Sequence, residues 1–244
     1  MDGNGSAVGV VLAGGSGSRL GAVGNKVYLP LAGRPVLTWS LRAFVAAGVD
    51  RLVLVVRPQD AALAEPLVED LPARVDLVPG GPNRHASEHN ALTRLEPDIV
   101  AGAVGVVAIH DGARPFVRPE LIRAGLEAAR RYGAAVPGVP LDGAVAVPDP
   151  DIGGSTAVER PHPVPAGTGP LVRVQTPQVF RAGPLLRAYE RAAADGFSGT
   201  DTASCVERYA GLRVHCFPGD TRNLKVTFRS DLTVAEALAE SLLD

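Results

Sequence analysis

The chain has 244 residues, of which 46% are hydrophobic and 20% charged, enough for one large α/β domain or two small ones. Its formal net charge of −2 excludes a global positive field that would attract nucleic acid or an anionic membrane. No apolar run is long enough to span a bilayer, and residues 1–7 are too polar for a signal peptide. The two cysteines form no C-x-x-C pair and favour a reducing compartment, so we expect a cytoplasmic protein.

Apolar, strand-like runs alternate with helical segments through the first half of the chain. Residues 8–12 form a short, Val-rich run that ends at alanine and glycine, which is typical of a buried strand. Further strands are predicted at 51–57, 74–78, 105–109 and 134–139. Helices are predicted at 35–44, 59–67 and 119–132, and a glycine turn feeding a helix within 80–92. This alternation predicts a mostly parallel, twisted sheet with helices on both faces.

The alternation stops between about 140 and 170, a stretch rich in proline and glycine. A connection of this length is uncommon in a compact domain unless it has a function. We therefore expect a single domain over residues 1–244. Its segment at about 140–170 is either an extended excursion such as a two-stranded β-arm or a disordered insertion, and a functional or dimerisation role is favoured over an idle loop. Beyond it, the pattern predicts order from 171, helices at 184–195 and 200–209 with Asp201 in the first turn, strands at 212–217 and 223–227, and a last helix capped by Ser230.

A glycine-rich turn follows the first strand, and two basic residues come soon after it, Arg19 and Lys26. Glycines let backbone N–H groups approach phosphate oxygens closely, and Arg and Lys balance the charge. The spacing matches neither the P-loop nor the dinucleotide fingerprint. From these residues alone, a phosphate site and an ordinary turn without a ligand remain equal alternatives.

Asp111 follows another predicted buried strand. An Asp at a strand end is most often a turn or cap residue, but Mg²⁺ also prefers carboxylate oxygens combined with substrate phosphates. The carboxyl ends of parallel strands share one edge of a sheet, so Asp111 and the glycine turn are expected to face one crevice. Together with Arg19, Lys26 and Lys225, this set suits nucleotidyl transfer, which depends on charge neutralisation and in-line positioning.

Other familiar catalytic patterns are not supported. His85 and His89 lie four residues apart on one predicted helix face, but without H-E-x-x-H or a third ligand we expect them on a solvated surface. The serines lack the G-x-S-x-G context of a hydrolase nucleophile.

Six blocks, in order, resemble the motifs of the 2-C-methyl-D-erythritol 4-phosphate cytidylyltransferase family and its relatives that act on pentitol phosphates. The resemblance runs nearly end to end. The blocks are LAGGSGSRL at 12–20 with Lys26, GGPNRHASEHNAL at 80–92, HDGARPFV at 110–117, VQTPQVF at 174–180, TDTASCVE at 200–207 and NLKVTFRSDL at 223–232.

The resemblance implies a homodimeric, Mg²⁺-dependent enzyme with a Rossmann-like nucleotidyltransferase fold. It would transfer CMP from CTP to 2-C-methyl-D-erythritol 4-phosphate, releasing pyrophosphate, in isoprenoid precursor synthesis. The alternatives are a paralogue that uses ribitol 5-phosphate or another polyol phosphate or phosphonate, and a non-catalytic nucleotide-binding relative. Partners would be these small molecules, with no nucleic acid and no membrane.

The same resemblance assigns roles to individual residues. It places Arg19, Lys26 and Lys225 in catalysis. Asp111, Arg114 and Asp142 would bind the acceptor, and Asp111 would also bind the metal. The nucleotide would be held by Leu12, Ala13, Gly14, Gly15, Ser16, Gly17, Gly80, Gly81 and Ser87.

Several positions depart from the family's motifs. Asn25 stands where the family usually has proline, Glu88 replaces the valine after the middle serine, and Thr202 replaces the second Asp of TDDAS. In the arm, residues 142–145 read DGAV in place of DT-[IVM]-K, and Thr168 stands at the position of the arm arginine. The arm substitutions leave the acceptor open between methylerythritol phosphate and a pentitol phosphate.

Overall fold

The computed structural model describes residues 5–15, 25–141, 171–199 and 201–243. Four predicted site residues lie outside these ranges, namely Ser16, Gly17, Arg19 and Asp142. The predicted arm lies outside them as well, apart from residues 140 and 141.

The described ranges contain ten strands. They are β1 (Ser6–Leu12), β2 (Pro30–Leu31), β3 (Arg34–Pro35), β4 (Arg51–Val56), β5 (Arg74–Pro79), β6 (Val104–Asp111), β7 (Ala134–Pro140), β8 (Val172–Val174), β9 (Gln178–Arg181) and β10 (His215–Pro218). Eight of them form one sheet in the order β10-β7-β9-β6-β1-β4-β5, with β8 paired to β7. The pairs of β1 with β4 and β6, of β4 with β5 and of β7 with β10 are parallel, whereas β8 and β9 run antiparallel to their neighbours. The predicted mostly parallel sheet is confirmed.

Helices cover both faces of this sheet, as predicted. Those in the described ranges are α1 (Val36–Ala46), α2 (Ala61–Glu69), α3 (Arg84–Val100), α4 (Pro119–Tyr132), α5 (Ala182–Ala194), α6 (Thr202–Ala210) and α7 (Arg229–Leu243). Alternate strand residues point to opposite faces. Val53 and Val107 pack in a core beneath α3, α5 and α6, whereas Leu52 and Val106 pack in a second core beneath α1, α2 and α4. Among the helices described, none has both the length and the hydrophobicity that a membrane crossing requires.

A small third core lies at the edge of the molecule. It joins α7 to the short antiparallel hairpin of β2 and β3, with Leu31 and Ala235 among its fully buried members. The hairpin turns through Ala32 and Gly33, whose φ angles of 47° and 77° are left-handed. The sequence pattern did not predict this hairpin, because two-residue strands carry too few positions to show a period.

The predicted strand at 223–227 is wrong. This segment is irregular, because its polar groups bond to neighbouring loops instead of forming a ladder: the Val226 N–H donates to the Ala113 carbonyl at 2.8 Å, and the Asn223 N–H to the Asp220 carbonyl at 3.0 Å. The predicted strand at 212–217 is correct only in its last residues, because β10 begins at His215.

Two predicted helix starts also differ from the structure. Ser230 lies inside α7 instead of capping it, because Asp231 makes the bonds at this end: its Oδ2 accepts from the N–H groups of Thr227 and Phe228, both at 2.8 Å. Asp201 precedes α6 as its N-cap, accepting from the Ser204 N–H at 3.0 Å, and is not in the first turn.

Candidate active site

A cleft of about 430 Å³ opens at the carboxyl ends of β1 and β6. These strands are parallel neighbours, with Leu12 opposite Asp111, and the Gly112 N–H donates to the Leu12 carbonyl at 2.9 Å. The glycine segment after β1 and the acidic end of β6 therefore face the same space. The predicted site residues that line the cleft are Leu12, Gly14, Gly15, Lys26, Gly81, Ser87, Asp111 and Lys225.

Ser87 joins the glycine segments on one wall of the cleft. Its hydroxyl donates to the Asn83 carbonyl at 2.8 Å and accepts from the Gly81 N–H at 3.0 Å. A Cβ atom at Gly80 would lie 3.3 Å from this hydroxyl, and one at Gly14 would lie 3.7 Å from it. The absence of side chains here leaves backbone groups accessible, which suits a planar base or a phosphate.

Asn25, which stands where the family usually has proline, ties the segment that carries Lys26 to the end of β1. Its amide donates to the Ala13 carbonyl at 2.5 Å and to Asp60 Oδ2 at 2.9 Å. Arg57 Nε donates to the same oxygen at 2.6 Å, and Arg57 Nη2 donates to Asp60 Oδ1 at 2.8 Å. Burial raises the pKa of Asp60, but the bonds from Arg57 and Asn25 outweigh it and lower that pKa overall. Ala13 itself is fully buried, its N–H donates to the Val55 carbonyl at 2.8 Å, and it is not among the described lining of the cleft.

Asp111 is surrounded by three cations. Its Oδ2 lies 2.7 Å from Lys225 Nζ and 3.7 Å from Arg114 Nε, and its Oδ1 accepts a bond from Arg84 Nη1. Burial alone would raise the pKa of this carboxyl, but Arg84, Lys225 and Arg114 hold it well below its usual range. Asp111 is therefore ionised at neutral pH, and the cluster carries a net positive charge towards the cleft.

Hydrogen bonds hold Lys225 in place although its segment is irregular. Arg114 Nη1 donates to the Asn223 carbonyl at 2.8 Å, the Gln175 side-chain amide donates to the same oxygen at 3.3 Å, and the Asn223 side chain donates to the Thr176 carbonyl at 2.9 Å. Three of the six sequence blocks are thus joined directly. Arg114, predicted to bind the acceptor, supports this junction and is not among the described lining of the cleft.

His110 precedes Asp111 and lies completely inside the protein. Its Nδ1 lies 3.1 Å from the Thr176 hydroxyl, and its Nε2 lies 3.3 Å from the Arg114 carbonyl. The same hydroxyl accepts from the Asp111 N–H at 3.1 Å. Burial lowers the pKa of His110 to about 4, so the ring is neutral and fixes the backbone around Asp111.

Lys26 and Lys225 are the only lysines in the sequence, and both line the cleft. Every other member of the chain's 24 Lys and Arg residues is an arginine. An ammonium is a compact charge on a flexible stem, whereas a guanidinium is a wide, planar fork. Lys26 and Lys225 therefore bring two compact charges to the cleft, which the wide guanidinium of Arg84 also lines.

Two residues were missed or misplaced by sequence reasoning. Arg84 lines the cleft and contacts Asp111, and its only sequence signal is its place in the family-like block at 80–92. The prediction that His85 lies on a solvated face is wrong, because α5 packs there: its ring stacks on Tyr189 with centroids 4.5 Å apart.

No group of three His, Cys, Asp or Glu side chains in the described ranges is arranged to hold a metal ion. Among the described residues that line the cleft, Asp111 is the one carboxylate. A divalent cation here would need most of its ligands from a substrate.

Comparison with known proteins agrees with this geometry. A sequence profile of 2-C-methyl-D-erythritol 4-phosphate cytidylyltransferase matches residues 7–241. The enzyme of that name from Cereibacter sphaeroides is 42% identical over 231 residues, covering 94% of this chain and 95% of the relative. The one from Caldanaerobacter subterraneus is 35% identical, covering 93% and 96%.

Solved structures give the same result. The 2-C-methyl-D-erythritol 4-phosphate cytidylyltransferase of Thermus thermophilus superposes with a TM-score of 0.72 at 30% identity, over 95% of this chain and 98% of that one. The 4-diphosphocytidyl-2C-methyl-D-erythritol synthase of Anaerococcus prevotii gives a TM-score of 0.79 at 25% identity, over 98% and 100%. With its glycine-lined cleft, its Asp111 cluster and this coverage, the chain belongs to the 2-C-methyl-D-erythritol 4-phosphate cytidylyltransferase family.

Proposed function

We propose that the protein transfers CMP from CTP to 2-C-methyl-D-erythritol 4-phosphate in isoprenoid precursor synthesis. An oxygen of the acceptor phosphate attacks the α-phosphorus of CTP, the bond from that phosphorus to the bridging oxygen breaks, and pyrophosphate leaves with the electron pair. The observation that carries the proposal is the Asp111 cluster, which places Lys225 and Arg84 beside a cleft walled by glycines. Preorganised cations of this kind stabilise the charge that develops in phosphoryl transfer.

The roles follow from position for the described residues, and from the family's motifs for Ser16, Gly17, Arg19 and Asp142. Lys26 and Lys225, which both line the cleft, would neutralise the triphosphate and the reacting phosphorus, together with Arg19. The nucleotide would be held by the backbone of residues 12–17, by Ser87 and by Gly80 and Gly81. The acceptor would lie against Asp111, with support from Arg114 and Asp142.

A magnesium ion fits this donor set as a partner of the triphosphate. Mg²⁺ is usually held by one or two carboxylates with substrate phosphates, and Asp111 supplies one carboxylate at the cleft. Bound there, the ion would neutralise phosphate charge. Lys225 and Arg84 already contact the same carboxylate, so they would share it with the metal.

A second acceptor is favoured by one specific observation. The arm residues 142–145 and Thr168 lack the threonine, lysine and arginine of the family's motifs. A polyol phosphate such as ribitol 5-phosphate is therefore the alternative substrate, and a nucleotide-binding protein without turnover is the third possibility.

Pyrophosphate release distinguishes the three. The protein is incubated with CTP, Mg²⁺ and each acceptor in turn. We expect the highest kcat/KM with 2-C-methyl-D-erythritol 4-phosphate. Turnover of ribitol 5-phosphate alone would replace the proposed acceptor, and CTP binding without turnover of any acceptor would contradict an enzymatic function.

The assembly is part of the same proposal: one domain over residues 1–244, acting as a cytoplasmic homodimer through the arm at about 140–170. It is supported by β8, next to the arm, where Val172 and Val174 are 36% and 40% exposed. Analytical ultracentrifugation should give twice the mass of the 25.2 kDa chain. A monomer at assay concentration would contradict the dimer.

A further inference from the structure

Two departures from the family's motifs, Glu88 and Thr202, meet directly behind the Asp111 cluster. Glu88 is 1% exposed, and its Oε1 accepts from Thr202 Oγ1 and from Arg84 Nε, both at 2.9 Å. Its Oε2 accepts from the Tyr189 hydroxyl. At its other end, Arg84 donates from Nη1 to Asp111. A continuous line of polar contacts therefore runs from the core under α5 and α6 to the cleft.

The guanidinium of Arg84 lies between two carboxylates and donates to them from two different nitrogens, Nε and Nη1. A guanidinium is planar, so fixing its Nε on Glu88 also fixes the direction in which Nη1 points. Burial lowers the pKa of Arg84, but Asp111 and Glu88 together raise that pKa by more, so the guanidinium keeps its charge. Burial raises the pKa of Glu88 above its usual value, and the contacts with Arg84, Tyr189 and Thr202, which lower it, offset this only in part. A buried carboxyl is costly unless its partners are in place, and this one has three.

We propose that Glu88 is a positioning residue, which holds Arg84 against Asp111 from behind the cleft, and that Thr202 is its coupled partner. The inference rests on the proposed function. In the family's motif pattern the carboxylate is on the other element, with valine at the position of Glu88 and aspartate at that of Thr202. In this chain the carboxylate between α3 and α6 comes from Glu88 on α3.

The contacts explain why such an exchange keeps the geometry. Thr202 Oγ1 and Arg84 Nε bond the same oxygen of Glu88. A slightly longer carboxylate side chain at position 202 could therefore reach the position that this oxygen of Glu88 occupies. A core residue that only filled volume would not require this match of polar atoms.

Four proteins test the inference: wild type, Glu88→Val, Thr202→Asp and the double variant. For Glu88→Val we expect kcat/KM for the acceptor to fall about tenfold, because Arg84 loses its anchor and Asp111 its fixed partner. Thr202→Asp alone should lower Tm, because it places a second carboxylate beside the first. The double variant should recover kcat/KM to within about threefold of wild type and have a higher Tm than Glu88→Val. Glu88→Gln, which keeps the shape without the charge, should fall between wild type and Glu88→Val.

The decisive result is the opposite effect of Thr202→Asp in the two backgrounds. It should lower Tm in the wild type, but raise Tm and restore acceptor kcat/KM in Glu88→Val. A purely structural role for Glu88 would lower Tm in Glu88→Val without selective loss of acceptor kcat/KM, and Thr202→Asp would not rescue it. Either outcome would overturn the inference, as would an unchanged Glu88→Val. The Tm values of the four proteins can be compared without any turnover. A wild type that is inactive with every acceptor would therefore contradict the proposed function, while the coupling between positions 88 and 202 could still be measured.

Discussion

Lys225 Nζ lies 2.7 Å from Asp111 Oδ2, although the lysine is on an irregular segment near the end of the chain and the aspartate ends β6. Hydrogen bonds through Asn223, Arg114 and Thr176 fix that irregular segment against the sheet. The cation is thus held without a helix or strand of its own. It faces the cleft while remaining 41% exposed at the side chain, so substrate reaches it without opening the core.

Lys225→Met should lower kcat/KM for the acceptor about a hundredfold, because a charge beside the reacting phosphate is lost. Stability should change by only about 0–1 kcal/mol, since partly exposed ion pairs contribute little. Steady-state kinetics and thermal unfolding measure the two effects. Arg222→Met is the matched control: Arg222 is on the same loop and 43% exposed, but it pairs with Asp220. Equal losses in both variants would contradict a specific role for Lys225.

Lys26→Ala should abolish most of kcat at saturating CTP while the protein stays folded, because its proposed role is to stabilise charge in the transition state. Circular dichroism and Tm check the fold, and pyrophosphate release measures kcat. Lys26→Arg keeps the charge and should retain part of the rate. A near-normal kcat in the alanine variant would remove Lys26 from the catalytic set.

Asp111→Asn should destabilise the fold by about 3 kcal/mol, because it leaves Arg114 without its buried counter-charge and leaves Arg84 with Glu88 alone. Asp220→Asn is the control, since Asp220 is equally buried but its partners, Arg118 and Arg222, are nearly half exposed. We expect a loss of about 1 kcal/mol there. Urea denaturation gives both values, and a larger loss at Asp220 would contradict this account of the cluster.

The free energy of unfolding should fall as the pH drops from 6.5 towards 4, because His110 binds its proton in the unfolded chain but not in the folded one. A histidine whose folded pKa is lowered contributes stability that is present above pH 6.5 and lost as pH falls through the folded pKa of about 4. The full loss is on the order of 3 kcal/mol. The buried His85, whose pKa burial also lowers, adds to the same slope.

Comparison with His110→Gln isolates the His110 contribution. Denaturation curves at a series of pH values should show a shallower slope for this variant, with His85 unchanged. Identical slopes in wild type and variant would show that His110 is not the neutral, buried group described above.

Hydrophobic periodicity and the positions of proline and glycine predicted the parallel part of the sheet well. Buried runs such as 8–12 and 105–109 carry enough Val and Ile to be read as strands, and Pro119 marks the start of α4. The antiparallel direction of β9 was not predictable, because direction depends on which partner a strand meets. The irregular segment at Asn223 reads as a strand by composition, but its polar groups find partners on other loops.

The candidate site shows the same division. Glycine and lysine positions are visible in the motifs, and so is the arginine at position 84, whereas the contacts of Arg84 and Glu88 are visible only in the structure. A glutamate beside a motif serine reads as a surface residue, and no local pattern indicates that Tyr189 and Thr202 lie against it. Contacts between residues far apart in sequence carried this information.

Because both lysines of the chain line the cleft, cleavage at lysine can show whether a substrate occupies that cleft. Endoproteinase Lys-C cleaves after lysine, so its only sites in this sequence are Lys26 and Lys225. Both side chains line the cleft, so bound substrate should slow cleavage after Lys26 and after Lys225. Limited proteolysis of the native enzyme should thus report occupancy of the cleft without a label or a mutation.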